Sequence, residues 1–416
     1  MPGTRSAGRA CAMTLTLLVA TASFPFGEET DFLEREISSL ASRFDRVVLL
    51  PIVPDGHRYN VPSNVTTDLR VAGQVSTRAR RILSAFRSRR SVGLIREAVR
   101  NTRTPASVAS WMRLLAAVGT AERVHRWAEL FETDGPTLAL TVWAGPATLG
   151  LARAAIPTVT RAHGGDLYAE RHPHDYLPLQ HEILASSAAV HPVSQHGADY
   201  LRNRFPDLAP KISVRHLGIV GAEQVAQPSS DGVLRIVTCS SLTAVKRPAL
   251  IAEIIAAVGH ASSAVEWDHF GSGPLESEVR AVAERFPPSV RWTLHGRVPN
   301  TRVLEHFASL PVDVFLNASS SEGVPVSIME AASAGVPVVA PNVGGIGEIV
   351  DDRNGRLFDR DASPAKVAAL IVETVAAFAT TDRSTIRDSW RTRFSAEVNY
   401  DSFADELAHA ALGSRR

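Results

Sequence analysis

Cysteine is nearly missing from this 416-residue chain, which contains only Cys11 and Cys239. Two thiols so far apart build neither a disulfide framework nor a thiolate metal centre. A reducing, cytosolic compartment is the simpler setting for such a chain. An excess of one charge is missing too: 44 basic side chains meet 43 acidic ones, a formal net charge of +1. That balance argues against a chain-wide nucleic-acid binder. Lysine is scarce, with only Lys211, Lys246 and Lys366. Past the amino terminus, no stretch approaches the ~20 apolar residues of a membrane-spanning helix.

The amino terminus itself has two readings. Arg5 and Arg9 precede "ACAMTLTLLVATA", and Ala20-Thr21-Ala22 has the small-residue form of a signal-peptidase site. Thr14 and Thr16 interrupt the run, however, and "SFPFGEETDFLEREISSL" follows at once as a loop opening a helix. The stretch is therefore read as a first buried strand, with residues 1–12 as an extension ahead of it.

What is present is rhythm. "LRIVTCS", "VEWDHFG", "VRWTLHG", "VDVFLNAS" and "VPVVAP" are short β-rich runs between residues 234 and 341. Helical patterns separate them at 248–258, 275–286, 302–310 and 326–334. Strands alternating with helices imply a parallel sheet covered on both faces. The Asn354-Gly355 pair then marks a turn. The first half is looser, with strands expected at 15–20, 46–52, 138–142, 158–161, 190–193 and 212–216. The polar stretch "GAEQVAQPSSDG" at 221–232 lacks periodicity and fits a boundary. The expected fold class is α/β: two domains over 13–225 and 226–390, a cleft between them, and a carboxy-terminal helix over 391–416 packing back on the first.

The segment "SEGVPVSIMEAASAGVPVVAPNVGGIGEIV" (321–350) puts carboxylates into an otherwise small and apolar run. Pro325 suits the start of a helix, where its missing N–H is no loss. A helix opening at Val326-Ser327 leaves free N–H groups at the positive end of its dipole, a ready phosphate site. Glu330 lies about one turn in and leans back toward that end. A carboxylate repels phosphate but accepts hydrogen bonds from neighbouring hydroxyls, so Glu330 is assigned to a ribose. Glu322, in the preceding loop beside Gly323, is assigned to hydroxyls further along the same ligand. Diphosphate flanked by two polyols describes a sugar nucleotide. The plainer reading makes Glu322 a helix cap and Glu330 a solvated side chain.

These residues resemble a known family, the retaining glycosyltransferases of family 4 (the "group 1" transferases), marked by two glutamates with seven residues between them, as Glu322 and Glu330 have here. The resemblance runs through "NASSSEGVPVSIMEAASAGVPVVAPNVGGIGEIV" and "NGRLF". "TRAHGGDLYAER", "CSSLTAVKRPALI", "FGSGPLESEV" and "HGRVPN" resemble the branch that builds exopolysaccharide repeats. The resemblance implies the GT-B architecture, two Rossmann-like domains with parallel sheets facing a central cleft. It also implies a nucleotide-diphosphate sugar as donor, retention, and neither metal nor cofactor.

Lys246 and Arg247 follow the first strand of the second half, where a cation pair can neutralise a leaving diphosphate. Many family members have an arginine a few residues earlier, where this chain reads Ser240-Ser241, which moves the second charge to Arg247. His163, between a strand and Gly164-Gly165, can approach a sugar closely. The resemblance places such a histidine at the donor sugar, near the reacting carbon; a structural histidine is the alternative. Arg161, Asp166 and Glu28 are weaker candidates for acceptor contacts. Gly27 matches the family's glycine loop near the diphosphate, and a plain turn serves nearly as well.

Between Leu69 and Arg103 lie ten arginines and one acid, Glu97. A basic amphipathic helix here, through Arg78, Arg80, Arg81, Arg87, Arg89 and Arg90, fits an anionic membrane surface; a solvated face is the even alternative. The expected function is thus a hexosyl-type transfer from a nucleotide-diphosphate donor to a lipid-linked or oligosaccharide acceptor in cell-surface polysaccharide or glycolipid biosynthesis. The expected location is cytoplasmic or peripheral on the inner face of the membrane, with no nucleic-acid partner. A sugar-nucleotide epimerase on the same fold and a non-catalytic sugar-nucleotide binder stay open.

Overall fold

The computed structural model of the protein describes residues 13–27, 31–75, 77–86, 89–101 and 105–413. The expectations for residues 1–12, Glu28 and Arg87 lie outside the described residues. The chain divides into two compact units. The first comprises Met1–Arg161, Ala169–Val190 and Ser402–Arg416, and the second Ala162–Tyr168 and His191–Asp401. The division falls ahead of the polar stretch at 221–232. Val193, Leu217, Ile219, Ala222 and Ala226 are already buried in the core of the second unit.

The first sheet contains β1 (Thr16–Thr21), β2 (Arg46–Pro51), β3 (Val65–Thr67), β4 (Thr137–Thr141), β5 (Thr158–Ala162) and β6 (Ala189–Pro192). Their order is β3-β2-β1-β4-β5-β6, with β1 parallel to both β2 and β4. Successive residues of a strand point to opposite faces, and here both faces are covered. Leu17 and Val19 pack with Phe403 and Leu407 of the helix Ala396–Gly413. Leu18 and Ala20 pack with Val124 and Trp127 of the helix Val108–Glu129.

The second sheet contains β7 (Leu234–Cys239), β8 (Val265–Phe270), β9 (Val290–Gly296), β10 (Val314–Leu316), β11 (Val338–Pro341) and β12 (Gly355–Phe358), in the order β12-β11-β10-β7-β8-β9. Its pattern is the same. Val237, Phe315 and Val338 face Ile328, Met329 and Trp390, while Ile236, Val314 and Val339 face Ile251, Ile255 and Ile371. Both sheets reverse strand order once, at β1/β4 and at β7/β10. Crevices for ligands open at such switch points, beyond the strands' carboxyl ends.

Three sequence expectations change. Residues 212–216 form no strand: Arg215 N donates to Pro192 O at 3.1 Å, but no ladder follows. The edge strands β3 and β12 escape pattern reading because they are short and carry half-buried residues, leaving almost no alternation. Arg161, expected as an acceptor contact, is wholly buried. It pairs with the buried Glu36 at 2.9 Å and stacks over the Phe403 ring at 4.4 Å. Burial pushes the Glu36 carboxyl up, and Arg161 pulls it back. Arg161 is thus a core residue of the first unit.

Removing one member of such a pair strands the other charge, at a cost of about 3–5 kcal/mol. Arg161→Met should lower the urea midpoint accordingly. The double variant Glu36→Leu/Arg161→Met should recover most of the loss, and equal midpoints for the single and double variants would refute the pairing.

Candidate functional site

The switch point of the second sheet lies between β7 and β10, and the loops after these strands carry Lys246 and Glu322. Glu322 is buried, and Lys246 Nζ donates to its Oε1 at 2.5 Å. The two loops are also tied by backbone: Ser320 N donates to Val245 O at 2.8 Å. Two residues assigned to different parts of one ligand therefore meet as an ion pair.

Arg247 goes elsewhere. Its backbone is left-handed (φ 48°) at the start of the helix Pro248–Ala261. Its guanidinium donates to Ala318 O at 2.5 Å, Arg360 O at 2.7 Å and Ser319 O at 3.4 Å. Burial, with Arg360 nearby, lowers its pKa. The expected Lys246-Arg247 cation pair is thus not formed as one: Arg247 staples two loops, and Lys246 alone reaches Glu322.

The helix Val326–Ser333 begins where Pro325 implies, with Pro325 accepting from Ile328 N at 3.2 Å. Val326 and Ser327 are half-buried at its open end. Glu330 is buried one turn in, and its Oε1 accepts from the side-chain amide of Asn300. Close by, at the end of β7, burial and the Glu330 charge push the Cys239 thiol up to about 12, against the pull of Lys246. Asn300 is the residue sequence reasoning missed. It lies in the quoted "HGRVPN", but nothing local links it to a glutamate thirty positions on.

A second missed feature is the turn at Gly344-Gly345. Gly344 has φ +56°, and a Cβ there would meet Glu322 O at 1.9 Å. A Cβ at Gly345 would meet Gly323 O at 2.2 Å, and Gly345 N donates to that oxygen at 2.9 Å. Only glycine permits so close an approach to the Glu322-Gly323 backbone. Glu348, in the next turn, accepts from Gln195 N at 2.8 Å, His196 N at 3.0 Å and His216 Nε2 at 3.0 Å. These bonds hold its pKa low against the upward push of burial.

His163 is buried at the end of β5, and its loop belongs to the second unit. A Cβ on Gly323 would lie 3.2 Å from Gly164 N, so the His163-Gly164 loop borders the Glu322-Gly323 loop. Asp166 accepts from His163 N at 2.6 Å and fixes the turn. That bond gives Asp166 a capping role where an acceptor contact was expected. Gly27 belongs to the first unit, in a left-handed turn (φ +99°) with its N–H donating to His57 O at 3.0 Å.

Residues 233–376, which carry Lys246, Glu322 and Glu330, match the family described as glycosyl transferases group 1. The chain is 26% identical over 245 residues to the putative colanic acid biosynthesis glycosyltransferase WcaL of Escherichia coli strain K12, covering 56% of this chain and 57% of that protein. It spans less than two thirds of the length of the curated relatives it matches. Sucrose-phosphate synthase of Thermosynechococcus elongatus superposes with a TM-score of 0.67 at 14% identity, over 96% of this chain and 100% of that one. HepE of Anabaena, in complex with UDP-glucose, superposes with a TM-score of 0.60 at 14% identity, over 95% and 100%. The fold is GT-B, and the match to the group 1 family is confined to residues 233–376 of the second unit.

A lysine cannot reproduce the planar fork with which Arg247 reaches three carbonyls. Arg247→Lys should lower stability by about 1–3 kcal/mol, the cost of stranding buried acceptors. Its affinity for nucleoside diphosphate should fall less than that of Lys246→Ala. Chemical denaturation and calorimetry on the two variants check this, and the opposite ranking would return Arg247 to the ligand.

Proposed function

We propose that the protein transfers a hexosyl group from a nucleotide-diphosphate sugar to a hydroxyl of a lipid-linked or oligosaccharide acceptor, with retention. The observation that carries the reading is the Lys246–Glu322 ion pair at 2.5 Å on the β7/β10 switch point. A cation, an open helix end and two buried carboxylates there supply what a sugar nucleotide needs. Glu330, oriented by Asn300, accepts from the ribose hydroxyls. The N–H groups of Val326 and Ser327 receive the diphosphate, and Gly323 lets it approach the backbone. Glu322 exchanges Lys246 for hydroxyls of the donor sugar, and Lys246 turns to the phosphate. His163 lies along the sugar.

The anomeric carbon then breaks its bond to the diphosphate oxygen and forms one to the acceptor oxygen. The departing phosphate takes the acceptor's proton. Lys246 and the helix end stabilise the charge that grows on it, so their contribution is greatest in the transition state. We assign the step to these groups without a metal. WcaL, by its name a glycosyltransferase of colanic acid biosynthesis, supports a role in cell-surface polysaccharide or glycolipid assembly. The complex of HepE with UDP-glucose supports a nucleotide-sugar donor.

For location, we place the protein in the cytoplasm, peripheral on the inner face of the membrane. No single described helix is long and apolar enough to cross a membrane. The arginine-rich segment is two helices, Arg78–Ser84 and Arg89–Asn101. Leu83 and Phe86 are exposed there, beside the exposed Arg80 and Arg89, and this mixture suits an anionic bilayer. Arg90 is engaged with Glu129 at 3.0 Å.

Lys246→Ala should reduce single-turnover rates more than donor affinity; a rise in KM with unchanged chemistry would assign Lys246 to ground-state binding. Glu330→Gln should weaken nucleoside diphosphate binding by roughly 1.5–3 kcal/mol in calorimetry, and unchanged affinity would remove it from the ribose. A panel of nucleotide sugars, with and without lipid-extract acceptors, tests the reaction itself. Acceptor-dependent release of nucleoside diphosphate is expected. Conversion of the donor without acceptor would identify an epimerase, and binding without turnover a sensor.

A further inference from the structure

The first unit contains a cavity of about 420 Å³ lined by Arg78, Arg81 and Arg113, with no carboxylate among the described residues of its wall. Arg78 and Arg81 are three apart on the helix Arg78–Ser84 and so share a face. Arg113 lies on the helix Val108–Glu129, where Ala116, Ala117 and Thr120 continue the same face as the cavity floor. The two helices meet closely: a Cβ on Gly119 would lie 1.8 Å from Arg81 O. Arg123 Nε also donates to Ser84 Oγ, which donates to Arg80 O at 2.7 Å. The guanidinium groups are therefore presented from a fixed base.

Their hydrogen-bonding capacity is left over. Arg113 Nη2 bonds His172 Nδ1 at 3.0 Å, yet its Nη1 and the Nε of Arg81 are buried with no partner. Buried donors without acceptors are rare, and an ordered water, an ion or a ligand supplies the acceptor. Three guanidinium forks around one space suit a tetrahedral oxyanion with three or more acceptor oxygens better than a carboxylate with two. The cavity also shares Ile52, Thr120 and Pro146 with a smaller one of about 150 Å³, which Thr21, Thr141 and Trp143 line at the β1/β4 switch point.

We propose that Arg78, Arg81 and Arg113 bind a phosphate or diphosphate group, and that the rest of the same molecule extends to the β1/β4 switch point. The identity of that molecule as the acceptor rests on the transferase reading; the anion site does not. Arg78 and Arg81 then serve this pocket and not a bilayer surface.

Inorganic diphosphate is the probe, titrated calorimetrically into the full chain. The donor site would also take it, so the measurement starts from Lys246→Ala. In that background binding should persist. Arg81→Gln and Arg113→Gln should each weaken it about tenfold, the effect of one charge-assisted hydrogen bond. Arg78 is exposed, so Arg78→Gln gives the same test where the inner variants disturb folding. No diphosphate binding in the Lys246→Ala background, or affinity unchanged by all three arginine variants, would overturn the proposal. So would arginine variants that keep diphosphate affinity but no longer sediment with phosphatidylglycerol vesicles, because the arginines would then serve bilayer headgroups. If Glu330→Gln leaves nucleoside diphosphate binding untouched while the arginine variants lose inorganic diphosphate, this site stands and the donor assignment falls.

Discussion

A parallel strand pair sends both carboxyl ends to the same edge of its sheet, so residues far apart in sequence arrive side by side without any local signal. Both units depend on this constraint. Because strand order reverses between β7 and β10, the loops after these strands diverge and leave a gap. Lys246 enters that gap from one loop and Glu322 from the other. The β1/β4 gap of the first unit is lined in the same way by Thr21 from one strand and Trp143 from beyond the other.

Within the second unit the carboxylate-bearing loop is set by backbone contact more than by side chains. The Gly344-Gly345 turn lies directly on the Glu322-Gly323 backbone, and Arg247 fixes the preceding carbonyls of Ala318 and Ser319. Glu348 then ties the following turn to the start of the helix Gln195–Arg204. The backbone that carries the charged groups is thus held before any ligand arrives, and only the Lys246 and Glu322 side chains change partners. Such preorganisation favours electrostatic stabilisation, since little has to rearrange as charge develops.

Much of this architecture was legible in the sequence, for physical reasons that vary by element. The central strands read clearly because burial on both faces makes them continuous apolar runs, as in "TLLVAT". β3 and β12, three and four residues long, offered no such run. The helix start at Val326 was legible because Pro325 is a local signal. Lys246 and Arg247 look alike as charges, and only the left-handed backbone at Arg247 sends them to different partners. Arg161 looked like a site residue because its partner Glu36 lies 125 positions away. Asn300 stayed hidden for the same reason.

The helix Ala396–Gly413 has a consequence for how the chain is made. Phe403, Ala404, Leu407 and Ala411 belong to the same cluster as Leu17, Val19 and Leu138. A ribosome releases the strands of the first unit early, together with the helix Asp31–Ala41, whose Leu33, Ile37 and Leu40 join this cluster, but Phe403, Ala404, Leu407 and Ala411 follow only after the second unit. Domains usually mature in the order of their synthesis. Here the second unit, nearly continuous from His191 to Asp401, has its whole core available before the first does. Until residue 411 has been made, the face that carries Leu17, Val19 and Leu138 is only partly covered, which leaves apolar surface for a chaperone to hold.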